Sequence, residues 1–325
     1  MARSKSITTT LKELSEAGEQ ADRGKAVETL RGVLSGSSSP VVAEAAELAG
    51  RLGLTQLGAD LQAAFQRFLG DGMRADKSCR AKVAIVKALH QLKSERTEPF
   101  VVGMTCYWPS RPRRNSRDVA TDLRIAAAYA YAELGAASEV EELAGLLADP
   151  VDDVRLAAVQ SIAALNGAHF GPLLRLKTLL GDENPSVMEA CFDALIDRDK
   201  VRYLPLIAEH LEADDPRVQM AAAVALGRSR HPSAFDLLAG KWRRTADTDV
   251  KAQLLITIAL LRSDRGIEFL LSLIDNPHSA GDALAALKYC HTQHVREQVK
   301  VAVDRTGDSN IIMMYKKYVN LNEMS

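Results

Sequence analysis

The sequence predicts an all-α fold, an α-α superhelix of about nine helix pairs, from three observations. The chain is 47% hydrophobic but only 5% aromatic, with alanine and leucine supplying most of the apolar side chains; that composition suits close helix packing and is one that β-sheets rarely use. A short phrase recurs along the chain at a near-constant spacing. Each period also contains two amphipathic stretches separated by a turn rich in Asp, Asn and Pro.

The recurring phrase is an acidic or amide residue, often a proline, a branched apolar residue, frequently a base, and then an alanine-rich helix. It reads Asp122-Leu123-Arg124-Ile125-Ala126-Ala127, Asp153-Val154-Arg155-Leu156-Ala157-Ala158, Pro216-Arg217-Val218-Gln219-Met220-Ala221-Ala222 and Asp249-Val250-Lys251-Ala252. With the branched residue as marker, Leu123, Val154, Val187, Val218, Val250, Ala280 and Ile311 are separated by 31, 33, 31, 32, 30 and 31 residues. Upstream, Val42 and Cys79 hold the same place with looser gaps of 37 and 44 residues.

The spacing predicts a first helix over stretches such as 138–147 and 201–211, where apolar residues recur three to four apart. The alanine-rich second helix follows. Asp149-Pro150, Asn184-Pro185, Asp215-Pro216 and Asn276-Pro277 each place an N-cap acceptor before a proline at the first helical position, where a missing N–H costs nothing. Gly135, Gly167 and Gly227 mark the ends of second helices. The paired alanines at 126–127, 157–158 and 221–222 are spacers that let neighbouring backbones approach.

The whole chain, 1–325, therefore reads as one repeat array. Residues 1–95 are irregular N-terminal repeats, 96–122 a repeat with an inserted loop, 123–291 regular repeats and 292–325 C-terminal capping helices. These phrases resemble the HEAT repeat, in particular its short subclass of about thirty residues familiar from phycobilisome lyase subunits and many bacterial scaffold proteins. HEAT units commonly pair a turn Asp with a base six positions later, and Asp118 with Arg124 and Asp149 with Arg155 keep that spacing. Met188 and Gln219 stand where the base is expected, which predicts a break in any run of turn-to-helix ion pairs.

Several function classes find no foothold. A formal charge of -1 excludes a general attraction to nucleic acid or anionic membrane. The apolar run at 254–261 is far short of the ~20 residues a membrane span needs. Four scattered cysteines, with no CxxC, suggest neither a disulfide framework nor a zinc ribbon and point to a reducing cytoplasm. No phosphate loop, dinucleotide fingerprint or nucleophile elbow occurs, and no His-Glu dipeptide of the kind used by iron-dependent HEAT-type hydroxylases. Cys290, His291 and His294 are the one cluster of soft ligands, too few to hold a metal. No cofactor and no catalytic residue are expected.

One segment exceeds what the fold requires. The 44-residue gap before Leu123 contains Cys106-Tyr107-Trp108-Pro109-Ser110-Arg111-Pro112-Arg113-Arg114-Asn115-Ser116-Arg117 at the turn inside the third pair. A loop of arginines with aromatics suits recognition of carboxylate or phosphate together with stacking. Lys241-Trp242-Arg243-Arg244 repeats the combination at the end of the first helix of the seventh pair, where bases also complement a helix dipole.

The partner-binding residues expected are thus Tyr107, Trp108, Arg111, Arg113, Arg114, Arg117, Lys241, Trp242, Arg243 and Arg244, on a scaffold for a protein partner. Acidic turns lie between the two segments, a pattern that suits a protein better than a polyanion. The alternatives are nucleic-acid binding, as the resemblance to HEAT-like alkylpurine DNA glycosylases implies, and a small-molecule role resembling that of phycobilin lyases, with Cys106 or His291 taking part in chemistry.

Overall fold

A computed structural model describes residues 9, 11, 12, 15, 23–70, 74–108, 118–134, 140–165, 170–290 and 292–320. The chain divides into two compact units, Met1–Leu173 and Leu174–Ser325. The described residues form eighteen α-helices and no strand.

In the first unit the pairs are α1 (Arg23–Leu34) with α2 (Ser39–Arg51), α3 (Gly58–Gly70) with α4 (Arg80–Gln91), α5 (Glu98–Thr105) with α6 (Thr121–Glu133), and α7 (Val140–Leu146) with α8 (Asp152–Ala164). Each first helix packs on its partner, and the second helices stack in order, α2 on α4, α4 on α6 and α6 on α8. Helix α9 (Phe170–Leu180) carries the boundary between the units.

The second unit continues with α10 (Pro185–Arg198), then α11 (Lys200–Glu209) with α12 (Pro216–Ser229), α13 (Ala234–Arg244) with α14 (Thr248–Leu260), α15 (Asp264–Ser272) with α16 (Ala280–Leu287), and α17 (Gln293–Thr306) with α18 (Ser309–Asn320). Here too the second helices stack, α10 on α12, α12 on α14, α14 on α16 and α16 on α18.

All nine marker residues, from Val42 to Ile311, fall at the start of a second helix. Val42, Cys79, Leu123, Val154, Val187 and Ala280 are fully buried there. The repeat is periodic because the second helices bury the same first-turn side chain against their neighbours, all but α14, where Val250 is partly buried, leaving the outer positions to vary.

The caps explain some boundaries and correct others. Asn184 and Asp215 cap α10 and α12, accepting the N–H of Ser186 and Arg217, with proline at the first position. Asp149 and Asn276 instead close turns two and three residues earlier, accepting the N–H of Val151 and His278. The helices there start at Asp152 and Ala280.

Gly227 is not a helix end. It lies inside α12, which continues to Ser229 and closes on Arg230 in the left-handed region at φ 51°. A Cβ at 227 would sit 2.6 Å from the carbonyl oxygen of Thr257 on α14, so this glycine serves close helix approach. Gly135 and Gly167 lie outside the described residues.

Candidate partner-binding site

The inserted segment opens from a constellation of buried charges in the first unit. Asp76 lies in the turn before α4 and accepts hydrogen bonds from the Ala81 and Lys82 amides, at 3.2 and 3.1 Å, and from Ser39 Oγ at 2.6 Å. Lys82, on the first turn of α4, places Nζ 2.9 Å from Asp76 Oδ2, with both side chains fully buried. Burial alone would raise the Asp76 carboxyl. The Ser39 hydroxyl and the Lys82 ammonium outweigh it and hold Asp76 below its ordinary value.

The Trp108 ring covers that ammonium, its centroid 4.2 Å from Lys82 Nζ. A cation over an indole face is a favourable arrangement, worth about 2 kcal/mol when desolvated. The backbone of Trp108 is tied as well: its N–H donates to Asp118 Oδ1 at 3.0 Å, and its carbonyl accepts the N–H of Val119 at 3.0 Å. Trp108 is thereby joined to Asp118 and Val119, closing a base.

Arg124 of α6 completes the base. Nη1 meets Asp118 Oδ2 and donates to the Cys106 carbonyl at 2.8 Å, while Nε lies 2.8 Å and Nη2 3.2 Å from the two oxygens of Asp149. One guanidinium thus joins the turn acid of its own pair to that of the next. Arg155 donates to the Asp149 carbonyl instead, at 2.9 Å. The Asp118–Arg124 spacing is met as an ion pair, and Asp76–Lys82 repeats it one pair upstream. In the second unit Gln219 takes the place of the base and donates to the Ala213 carbonyl, at 2.5 Å, while Asp182 pairs with Lys177 at 2.7 Å.

Tyr107 and Trp108, adjacent in sequence, have different surroundings. Trp108 is partly buried on Lys82, whereas Tyr107 is 54% exposed, its ring 5.8 Å from the Arg124 guanidinium. Tyr107 borders a groove of about 540 Å³ together with Met104, Arg124, Glu141, Glu142, Leu146 and Asp149. Arg111, Arg113, Arg114 and Arg117 lie outside the described residues.

The second aromatic and basic segment ends α13 in the second unit. Lys241 Nζ and Arg244 Nη2 both bind Glu212, at 2.8 and 2.9 Å. Hydrogen bonds from Lys241 and Arg244 hold the Glu212 carboxyl below its ordinary value. Trp242 packs edge-on against Phe269, with centroids 5.4 Å apart, and Lys251 lies 4.9 Å over its ring. Arg243 is exposed and lies 5.7 Å from the Phe269 ring.

The soft ligands do not converge. Cys290 sits in the turn before α17, where its thiol is 3.5 Å from the Ala259 carbonyl, and His294 is exposed on α17 itself. The four-residue spacing between them is therefore not a helical one, and His291 lies outside the described residues. Among the described residues no three His, Cys, Asp or Glu side chains are grouped to hold a metal ion. Burial pushes all four thiols up, Cys79 and Cys191 to about 12. No helix among the described residues is long and apolar enough to cross a membrane.

Comparison with known proteins gives one family match, to HEAT repeats, over residues 172–245. No curated protein matches the sequence. Among solved structures, the complex of CpcE and CpcF of phycocyanin lyase from Nostoc sp. PCC7120 is 20% identical, over 71% of this chain and 91% of that one, with a TM-score of 0.37. Human deoxyhypusine hydroxylase in complex with glycerol is 17% identical, over 93% and 99%, with a TM-score of 0.32. An engineered protein is 16% identical, over 89% and 87%, with a TM-score of 0.39. With TM-scores below 0.5, none of the three bears on the function of this chain. What the comparisons support is a similarity of residues 172–245 to HEAT repeats.

Proposed function

We propose that the chain is a protein-interaction scaffold whose partner surface in the first unit is Tyr107 and the arginine-rich segment that follows it. The observation that carries this reading is the closed base at Trp108, Asp118 and Lys82, which presents an exposed aromatic ring from a rigid mount. A contact side chain fixed before binding loses less conformational freedom on docking, and Tyr, Trp and Arg are the residue types that dominate interface energies. Trp108 acts as the anchor of this surface, Tyr107 and the four arginines as its contacts, and Arg243 as an exposed contact in the second unit.

A protein partner fits better than nucleic acid. Glu141, Glu142 and Asp149 line the groove that Tyr107 borders, and carboxylates beside the contact residues repel a phosphate backbone.

The test is affinity capture followed by mass spectrometry, with wild type compared to a variant carrying Tyr107→Ala and serine at 111, 113, 114 and 117. Trp108 is left intact so that the base survives. Partners recovered with wild type should be lost from the variant while its thermal stability stays within about 1 kcal/mol, since exposed residues bury little. Full retention of every partner would remove this surface from the account.

A further inference from the structure

We infer that the groove beside Tyr107 receives a lysine or arginine side chain from a basic segment of the partner protein, an assignment that rests on the scaffold reading and names the chemistry of its occupant. Among the described residues the one cation lining the groove is already spent: Arg124 is matched by Asp118, Asp149 and the Cys106 carbonyl. Two carboxylates remain. Neither Glu141 nor Glu142 has an ion-pair partner among the described residues, and Glu142 Oε2 is buried without a hydrogen-bond donor.

A buried carboxylate oxygen without a donor is costly until a donor arrives. Glu142 is thus an acceptor that a bound cation would satisfy. The exposed Tyr107 ring supplies a π face for that cation, and Met104 and Leu146 supply apolar wall for its aliphatic stem. A groove of about 540 Å³ falls in the range of binding clefts, roughly 300–1,000 Å³. An acidic segment would meet Glu141 and Glu142 unscreened, and a wholly apolar one would leave Glu142 unsatisfied.

The probe is a library of short random peptides displayed on phage, selected on the full chain and counter-selected on a Tyr107→Ala, Glu141→Gln, Glu142→Gln variant whose helical spectrum and melting are first matched to wild type. Selected peptides should share a Lys or Arg anchor. They should bind the variant at least about tenfold more weakly, and lose about the same when the anchor is replaced by citrulline or acetyl-lysine, the loss expected of a desolvated cation pair. Peptides lacking a basic anchor, peptides that bind the variant as well as wild type, or no enrichment would each overturn the assignment. So would binding that emerges only when 111, 113, 114 and 117 are serine, because the occupant would then be this chain's own arginines. The scaffold reading is judged separately: if the groove variant still captures the partners that the loop variant loses, the groove assignment fails together with Tyr107 as a contact, and the scaffold reading then stands on the arginine-rich segment alone.

Discussion

Replacing Asp76 by alanine should destabilise the first unit far more than its single charge suggests. Asp76 accepts four contacts, from Ser39 Oγ, the Ala81 and Lys82 amides and Lys82 Nζ. Its loss strands the fully buried Lys82 ammonium. Breaking such a pair from one side costs about 3–5 kcal/mol, whereas exchanging a whole pair for apolar groups is often nearly neutral. The double variant Asp76→Ala, Lys82→Met should therefore be more stable than Asp76→Ala alone, giving a coupling of about 2 kcal/mol or more.

The assay is urea unfolding followed by fluorescence in a Trp242→Phe background, where Trp108, the remaining tryptophan, sits on Lys82 and reports this site. A loss below about 1 kcal/mol for Asp76→Ala, or strictly additive single variants, would refute the reasoning. The pH dependence has a fixed sign. Because Asp76 is held below 3.8 in the folded chain, its contribution is complete above that pH, fades as pH falls through the folded value, and is absent once both states are protonated. The advantage of wild type over Asp76→Asn should therefore shrink only below about pH 4.

Three other outcomes follow from the packing. Arg124→Lys should cost about 2 kcal/mol or more despite keeping the charge, because one ammonium cannot span Asp118, Asp149 and the Cys106 carbonyl as a guanidinium does; chemical unfolding of the first unit measures it. Gly227→Ala should lower the melting temperature of the second unit, costing about 1–3 kcal/mol by overpacking against Thr257; Trp242 fluorescence in a Trp108→Phe background reports it. The thiols should be silent to Ellman's reagent in the native chain at pH 8, since burial holds them protonated, and all four should react after denaturation in guanidinium.

The marker residues made the helix pairs legible because what repeats along the chain is the first turn of the second helix, buried in every pair but that of Val250 and the part of a repeat that packing constrains most. Helix ends were less legible. Gly227 has the residue type of a helix terminator, but its role depends on Thr257, 30 residues away, which no local pattern reveals. Asp149 has the form of an N-cap, yet its carboxylate is drawn to Arg124 and to the Val151 amide.

At the candidate site, the composition of the insertion stood out from the repeat, while the division of labour between its two aromatics did not. Trp108 is paired with Lys82 by the fold, and Lys82 looks in sequence like an ordinary solvent-facing helix cation. A signal for it was present. Asp76 and Lys82 keep the same six-residue spacing as Asp118 and Arg124, just ahead of and within a second helix, so the buried pair could have been found by extending that pattern upstream.

The most direct test of the scaffold account places a photo-reactive p-benzoylphenylalanine at position 107 and, in a separate variant, at position 289. Tyr107 and Tyr289 are exposed to similar degrees, 54% and 46%, so they differ in surroundings more than in access. Irradiation in the source cell, followed by mass spectrometry of the adducts, should give a defined protein cross-linked through position 107 and not through position 289. Cross-links to nucleic acid at 107, equal protein adducts at both positions, or no adduct at 107 would contradict a partner surface built on Tyr107.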